Sequence, residues 1–138
     1  MIRRAGPKDM AAVFDIRRIV FIEGQNVPED EERDDKDADA IHLIAFEDDI
    51  PVGTARLLVD GATGKIGRVA VLEQMRGRGL GKAIMQAAID TLRDEQVTTA
   101  KLAAQTHALA FYEALDFVAE GPEFLDAGIL HRNMTRSL

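Results

Sequence analysis

Three observations predict an α/β (α+β) fold in one domain spanning residues 1–138. At roughly 100–200 residues per domain, a chain of 138 residues has room for one core. Apolar residues make up 46% of it and recur alternately at strand and at helix spacing. A glycine-rich stretch, Arg76-Gly77-Arg78-Gly79-Leu80-Gly81, falls between a strand-like run and a helical one. The composition also excludes chemistry: with no cysteine, the chain can form no disulfide, no thiolate metal site and no acyl-cysteine intermediate. No apolar run approaches the ~20 residues of a membrane span, and no apolar stretch follows the arginines at the start. The expectation is a cytoplasmic protein with no membrane partner and no metal.

Each element has its own signal. Residues 2–4 read as a short strand. Pro7 then opens a helix whose stripe of Met10, Val13, Phe14, Ile16 and Val20 runs to about Phe21. Gly24, Asn26 and Pro28 break that helix, and the acidic run 29–39 follows as a loop or a short solvated helix. Residues 41–47 and 52–59 are strand-like and joined through Asp48 to Pro51, which predicts a hairpin. After a turn at 60–64, residues 65–72 form a further strand that leads into the glycine loop. From Leu80 the apolar positions Ala83, Ile84, Ala87, Ala88, Thr91 and Leu92 keep helical spacing through about Glu95. Residues 97–104 read as a strand and 107–115 as a short helix with Ala108, Phe111, Tyr112 and Leu115 on one face. Strands near 117–120 and 129–136 close the chain.

The glycine loop lies where free backbone N–H groups and the helix dipole attract an anion. Its spacing excludes two familiar phosphate loops. A dinucleotide fingerprint needs G-x-G-x-x-G, whereas these glycines run G-x-G-x-G. A Walker loop needs four residues between its glycines and then Lys-Ser or Lys-Thr, whereas Lys82 is followed by Ala83. An atypical nucleotide-binding loop is left as a disfavoured alternative.

What remains, R-x-x-G-x-G after the strand end Val69-Ala70-Val71, resembles motif A of the GNAT superfamily of acyl-CoA-dependent N-acyltransferases. The order of elements fits that family over essentially the whole chain. The phrases VFIEGQNVPEDEE, VGTARL, GRVAV, AQTHA, FYEALDF and EFLDAGILH further resemble its small bacterial ElaA-like branch. The resemblance implies a mixed, mostly antiparallel sheet of six to seven strands, splayed between the fourth and fifth and flanked by about four helices. It also implies acetyl-CoA as co-substrate, a primary amine of a small molecule or peptide as acceptor, and a homodimer as one possible assembly. A non-catalytic acyl-CoA-binding module is the alternative.

Roles follow from the resemblance residue by residue. The amides of Arg76, Gly77, Arg78, Gly79, Leu80 and Gly81, with Lys82 nearby, would hold the pyrophosphate. Val69, Ala70 and Val71 would line the pantetheine arm, with the Val71 N–H against the thioester oxygen. Gln105 would bond the pantetheine. Tyr112, the sole tyrosine, would protonate the leaving thiolate. Family members with a Glu on the fourth strand use it as general base, but here the strand reads Gly67-Arg68-Val69-Ala70-Val71. The remaining candidates for the base are His107, Glu23 and His42, or a water relay. Gln25, His42, Arg56 and Arg68 are candidates for the acceptor pocket, and His131 is read as structural or as lining that pocket. The family's Leu-Gly-Phe after the short helix reads Leu115-Asp116-Phe117, which puts a non-glycine at a left-handed helix end.

Charge adds a last expectation. The formal net charge is −7, and residues 29–39 hold eight of the 24 acids but only two of the 17 bases. A basic patch for nucleic acid is lacking. The acidic block, just past the first helix, is expected either to draw in a cationic amine or to be a solvated loop.

Overall fold

The computed structural model describes residues 1–138 as one seven-stranded sheet with helices on both faces. The strands are β1 (Ile2–Arg4), β2 (Ile41–Glu47), β3 (Ile50–Asp60), β4 (Thr63–Val71), β5 (Thr99–Gln105), β6 (Val118–Asp126) and β7 (Ile129–Ser137). The helices are α1 (Met10–Arg17), α2 (Glu29–Glu32), α3 (Leu80–Asp94) and α4 (Leu109–Glu113). Spatial order is β1-β2-β3-β4-β5-β7-β6, antiparallel throughout except for the parallel pair β4–β5. No helix is long and apolar enough to cross a membrane.

Strand alternation assigns the faces. Gly53, Ala55 and Leu57 of β3 turn to α3, where Ile84, Met85, Ala88, Ile89 and Leu92 are all fully buried. Two glycines let the helix lie this close: a Cβ on Gly53 would stand 2.7 Å from Ile84 Cδ1, and one on Gly64 2.5 Å from Leu92 Cδ2. Thr54 and Arg56 turn to the other face, which α1 covers through Ile16 and Val20 against Ala70. Burying each such Leu or Ile contributes about 1.5–3 kcal/mol.

The structure differs from the sequence reading at several element ends. The first helix does not stop near Phe21: past Arg17 it widens into a π-helical stretch, Arg18–Glu23. The hairpin after β2 turns on Asp48 and Asp49 alone, both at positive φ, so Ile50 and Pro51 belong to β3. β6 runs to Asp126, well beyond residue 120, because a bulge between Glu120 and Phe124 keeps it paired with β7. The acidic run is neither a loop nor solvated throughout. It forms α2 and a 3₁₀ turn, Asp35–Ala38, and buries Glu32 at 2% exposure.

One irregularity sets the site. Between the pairs Thr54↔Ala70 and Arg56↔Gly67, β4 carries one residue more than β3, and Arg68 there has φ +52°. An unbroken strand would turn Arg68 to the face of Ile66. The bulge turns it to the α1 face instead and bends β4.

Candidate active site

β4 and β5 are paired only from Thr63↔Thr99 to Lys65↔Lys101. Beyond that the strands part, and the gap opens into a cleft of about 500 Å³. Val69 and Val71 form one wall, Leu102 and Gln105 the other. The π-helical stretch adds Val20 and Phe21, α4 adds Tyr112, and β7 adds His131.

The end of the cleft at the glycine loop is built from backbone. Leu72 N–H donates to Val52 O, which makes Gly53↔Val71 a non-hydrogen-bonded pair and turns the Val71 amide away from β3, toward the gap. The Val71 carbonyl on that side accepts from Arg76 Nε at 3.1 Å. In the loop, Gly77 and Gly79 have φ +76° and +81°, a region costly for any residue with a Cβ. The amides of Gly77 through Lys82 donate to no protein acceptor, and no side chain caps the start of the 15-residue α3. Six unpaired N–H groups at the N-terminus of a helix suit a pyrophosphate. Lys82 borders the shallower hollow beside the loop with Gly77, Gly79, Leu80 and Gly81. Arg78 turns its side chain away, to Met75 Sδ and Glu47. The Ala70 side chain is sealed against Ile16 and Val20, so Ala70 presents none to the cleft.

Tyr112 lines the cleft, held edge-on between Phe111 and Phe117 with ring centroids 5.0 and 6.2 Å away. Burial raises its pKa, which keeps the hydroxyl protonated at neutral pH.

The opposite end is built from side chains. Gln105 Nε2 donates to Gln25 Oε1 at 2.9 Å, Gln25 Nε2 returns a bond at 3.3 Å, and His107 Nε2 donates to Gln105 Oε1 at 2.7 Å. Beneath them lie three arginines and three acids. Arg17, fully buried, holds Glu32 at 2.7 Å and Asp37 at 2.7 Å. Arg68 reaches Glu32 at 3.0 Å, and Arg56 reaches Asp34 at 2.7 Å and Asp37 at 3.1 Å. Burial works against the Arg17 charge, but hydrogen bonds to Asp37 and Glu32 outweigh it and raise its pKa. Burial likewise opposes the Asp37 carboxylate, and the bond from Arg17 overcomes this and holds its pKa down at about 2.

These placements correct the sequence reading. Gln25, Arg68, Gln105, His107 and Tyr112 meet in the cleft. Glu23 does not: the π-helical stretch carries it outward, where it is exposed and paired with Arg18. His42 and Arg56 are not among the walls either, because strand alternation turns both toward the acidic segment. His42 Nε2 donates to the Asp37 carbonyl at 2.9 Å. The expected acceptor-steering acids are engaged as well, since Asp34 and Asp37 are tied to arginines. Sequence reasoning passed over Phe21, Glu32, Lys65 and Asp126, all of which line the cleft. The one legible hint was Arg17, which lies on the apolar stripe of Val13, Ile16 and Val20.

Comparison with known proteins agrees with this arrangement. A family model described as "Acetyltransferase (GNAT) domain" matches residues 20–138. The uncharacterized N-acetyltransferase YjcF of Bacillus subtilis is 36% identical over 124 residues, covering 89% of each chain. Protein ElaA of Escherichia coli is 32% identical over 135 residues, covering 92% of this chain and 86% of ElaA. Among solved structures, an acyl-CoA N-acyltransferase from Pseudomonas aeruginosa superposes with a TM-score of 0.86 at 31% identity, covering 99% of this chain and 97% of that one. With a splayed β4–β5 pair, an unpaired glycine loop and relatives of near-equal length, the chain belongs to the GNAT family of acetyltransferases.

Proposed function

We propose that this chain transfers an acetyl group from acetyl-CoA directly to a primary amine of a small molecule or peptide, as a single-domain cytoplasmic enzyme. One observation carries the reading: the cleft that holds Tyr112 and the polar chamber runs to Arg76 and Gly81, where a second hollow continues along the loop whose six amides are unpaired. Acetyl-CoA supplies the acetyl group on a thioester whose sulfur leaves as thiolate. The amides of Gly77 through Lys82 bind its pyrophosphate, and Val69 and Val71 guide the pantetheine, with Gln105 as a polar partner across the gap. The Val71 N–H donates to the thioester oxygen, where charge develops. The Tyr112 hydroxyl gives its proton to the departing sulfur. With no cysteine in the chain, the transfer is direct, in a ternary complex.

The test has two arms. Acetyl-CoA, but not ATP or NAD, raises the melting temperature, and a panel of amines then releases coenzyme A, with the acetylated product identified by mass spectrometry. Stabilisation by ATP alone overturns the reading. Binding without turnover on any amine replaces it with the acyl-CoA-binding module.

A further inference from the structure

We infer that His131 is the general base that takes the proton of the acceptor amine, an assignment that rests on the acetyl-transfer reading above. The ring is 9% exposed, held on β7 opposite Gln105 and stacked on Phe124 at 5.9 Å between centroids. Its Nδ1 lies 2.7 Å from the Ile129 carbonyl. A carbonyl only accepts, so Nδ1 carries the hydrogen and Nε2 of the neutral ring is left with the lone pair. Nε2 has no protein partner. The buried polar atoms that lack partners are His42 Nδ1 and Arg56 Nε, so His131 Nε2 is open to solvent, and the space its ring lines is the cleft. The main chain thus fixes this ring as a proton acceptor before any substrate arrives.

The other titratable groups around this half of the cleft are less suited. Glu32 on α2 has its carboxylate taken up by Arg17 and Arg68, and Glu31 beside it is exposed. Arg68 on β4 is a cation engaged by Glu32, and Lys65, whose pKa burial lowers, and Asp126 on β6 are both exposed. His107 donates through Nε2 to Gln105, which leaves its Nδ1 with the lone pair, but the ring is exposed to solvent rather than buried in the cleft, and the paired variants below separate it from His131.

In the step so assigned, the amine nitrogen forms the C–N bond to the acetyl carbon and the C–S bond breaks. Nε2 of His131 takes the proton that the nitrogen sheds, and the Tyr112 hydroxyl protonates the sulfur. The imidazolium then releases its proton to solvent and the phenolate takes one back. The balance is amine plus thioester to amide plus thiol.

His131→Asn separates this role from packing, because the Asn amide can still donate to the Ile129 carbonyl while the Nε2 lone pair is lost. The expected result is a fall in kcat/KM for the amine of about 100-fold, with loss of the acidic limb of its pH profile. The melting temperature and the Kd for coenzyme A measured by calorimetry stay at wild-type values. Independently of turnover, nitrogen NMR of the free protein shows the His131 hydrogen on Nδ1. A variant that keeps wild-type kcat/KM and the limb, or a hydrogen found on Nε2, overturns the assignment. Loss of the limb in His107→Gln with His131→Asn unaffected transfers the role to His107 and overturns it too. A wild type that binds coenzyme A but acetylates no amine overturns the acetyl-transfer reading itself.

Discussion

Around Gly77–Gly81 the backbone holds the site: amides stand unpaired, Gly77 and Gly79 lie open, and the flanking arginines are exposed. Around Glu32 the reverse holds, and six charged side chains neutralise one another, Glu32 and Arg68 at the cleft wall and Arg17, Asp34, Asp37 and Arg56 behind it. The first arrangement leaves donors free for a ligand and contributes little to stability. The second spends its charges on itself, so it fixes the shape of the chamber beside Gln25 and Gln105 but has little charge left to offer a ligand. Binding at one end and rigidity at the other are therefore separable by mutation.

The sharpest break is expected at Arg17. Arg17→Met leaves Glu32 and Asp37 short of their main counter-charge in a dry site and should cost about 3–5 kcal/mol in urea unfolding. Adding Glu32→Gln should recover part of that loss, because the uncompensated charge is then gone. Coenzyme A binding by the folded fraction should be unchanged, since the loop does not touch the network.

Next comes Tyr112→Phe, which keeps the edge-on packing and removes only the hydroxyl. We expect kcat to fall about 100-fold, near 2.7 kcal/mol, with the KM for acetyl-CoA unmoved in steady-state kinetics. A similar or smaller effect is expected at the loop: Gly79→Ala places a Cβ at φ +81° and should cost about 1–2 kcal/mol. Unlike the Arg17 change, it should weaken coenzyme A binding in calorimetry.

Acid offers a test without mutation. The folded pKa of Asp37 is about 2, below its ordinary value, so the stabilisation is fully present above the unfolded value near 4. It is lost as pH falls from there through about 2. Unfolding followed by circular dichroism should show an acid limb in that window, and Asp37→Asn should blunt it. The smallest effect lies outside both regions. Asp116 does adopt the left-handed conformation, φ +68°, that its place after the short helix demands, and Asp116→Gly should raise stability by at most about 1 kcal/mol.

The same contrast explains what the sequence made legible. The glycine loop announces itself because its chemistry is local: residues 76–82 create the anion site from their own backbone. Helix and strand spacing likewise located α3 and six of the seven strands to within two residues, and the start but not the end of β6. The acceptor end depends on residues 17, 32, 37, 56 and 68, which meet only after the sheet forms. The bulge at Arg68 also shifts the phase of β4, so alternation counted along the strand assigns that side chain to the wrong face. The outward position of Glu23 comes from a π-helical stretch that adds residues to the turn, and the fixed tautomer of His131 from a carbonyl two residues away, neither of which spacing reveals.

That bulge limits how the site can be altered. With Arg68 turned onto Glu32, a carboxylate grafted at position 68 to supply the missing β4 base would face an existing carboxylate rather than an incoming amine. Seating a carboxylate at position 68 would mean exchanging residues 17, 32 and 68 together. The charged side chains at this end of the cleft can be re-engineered only as a block.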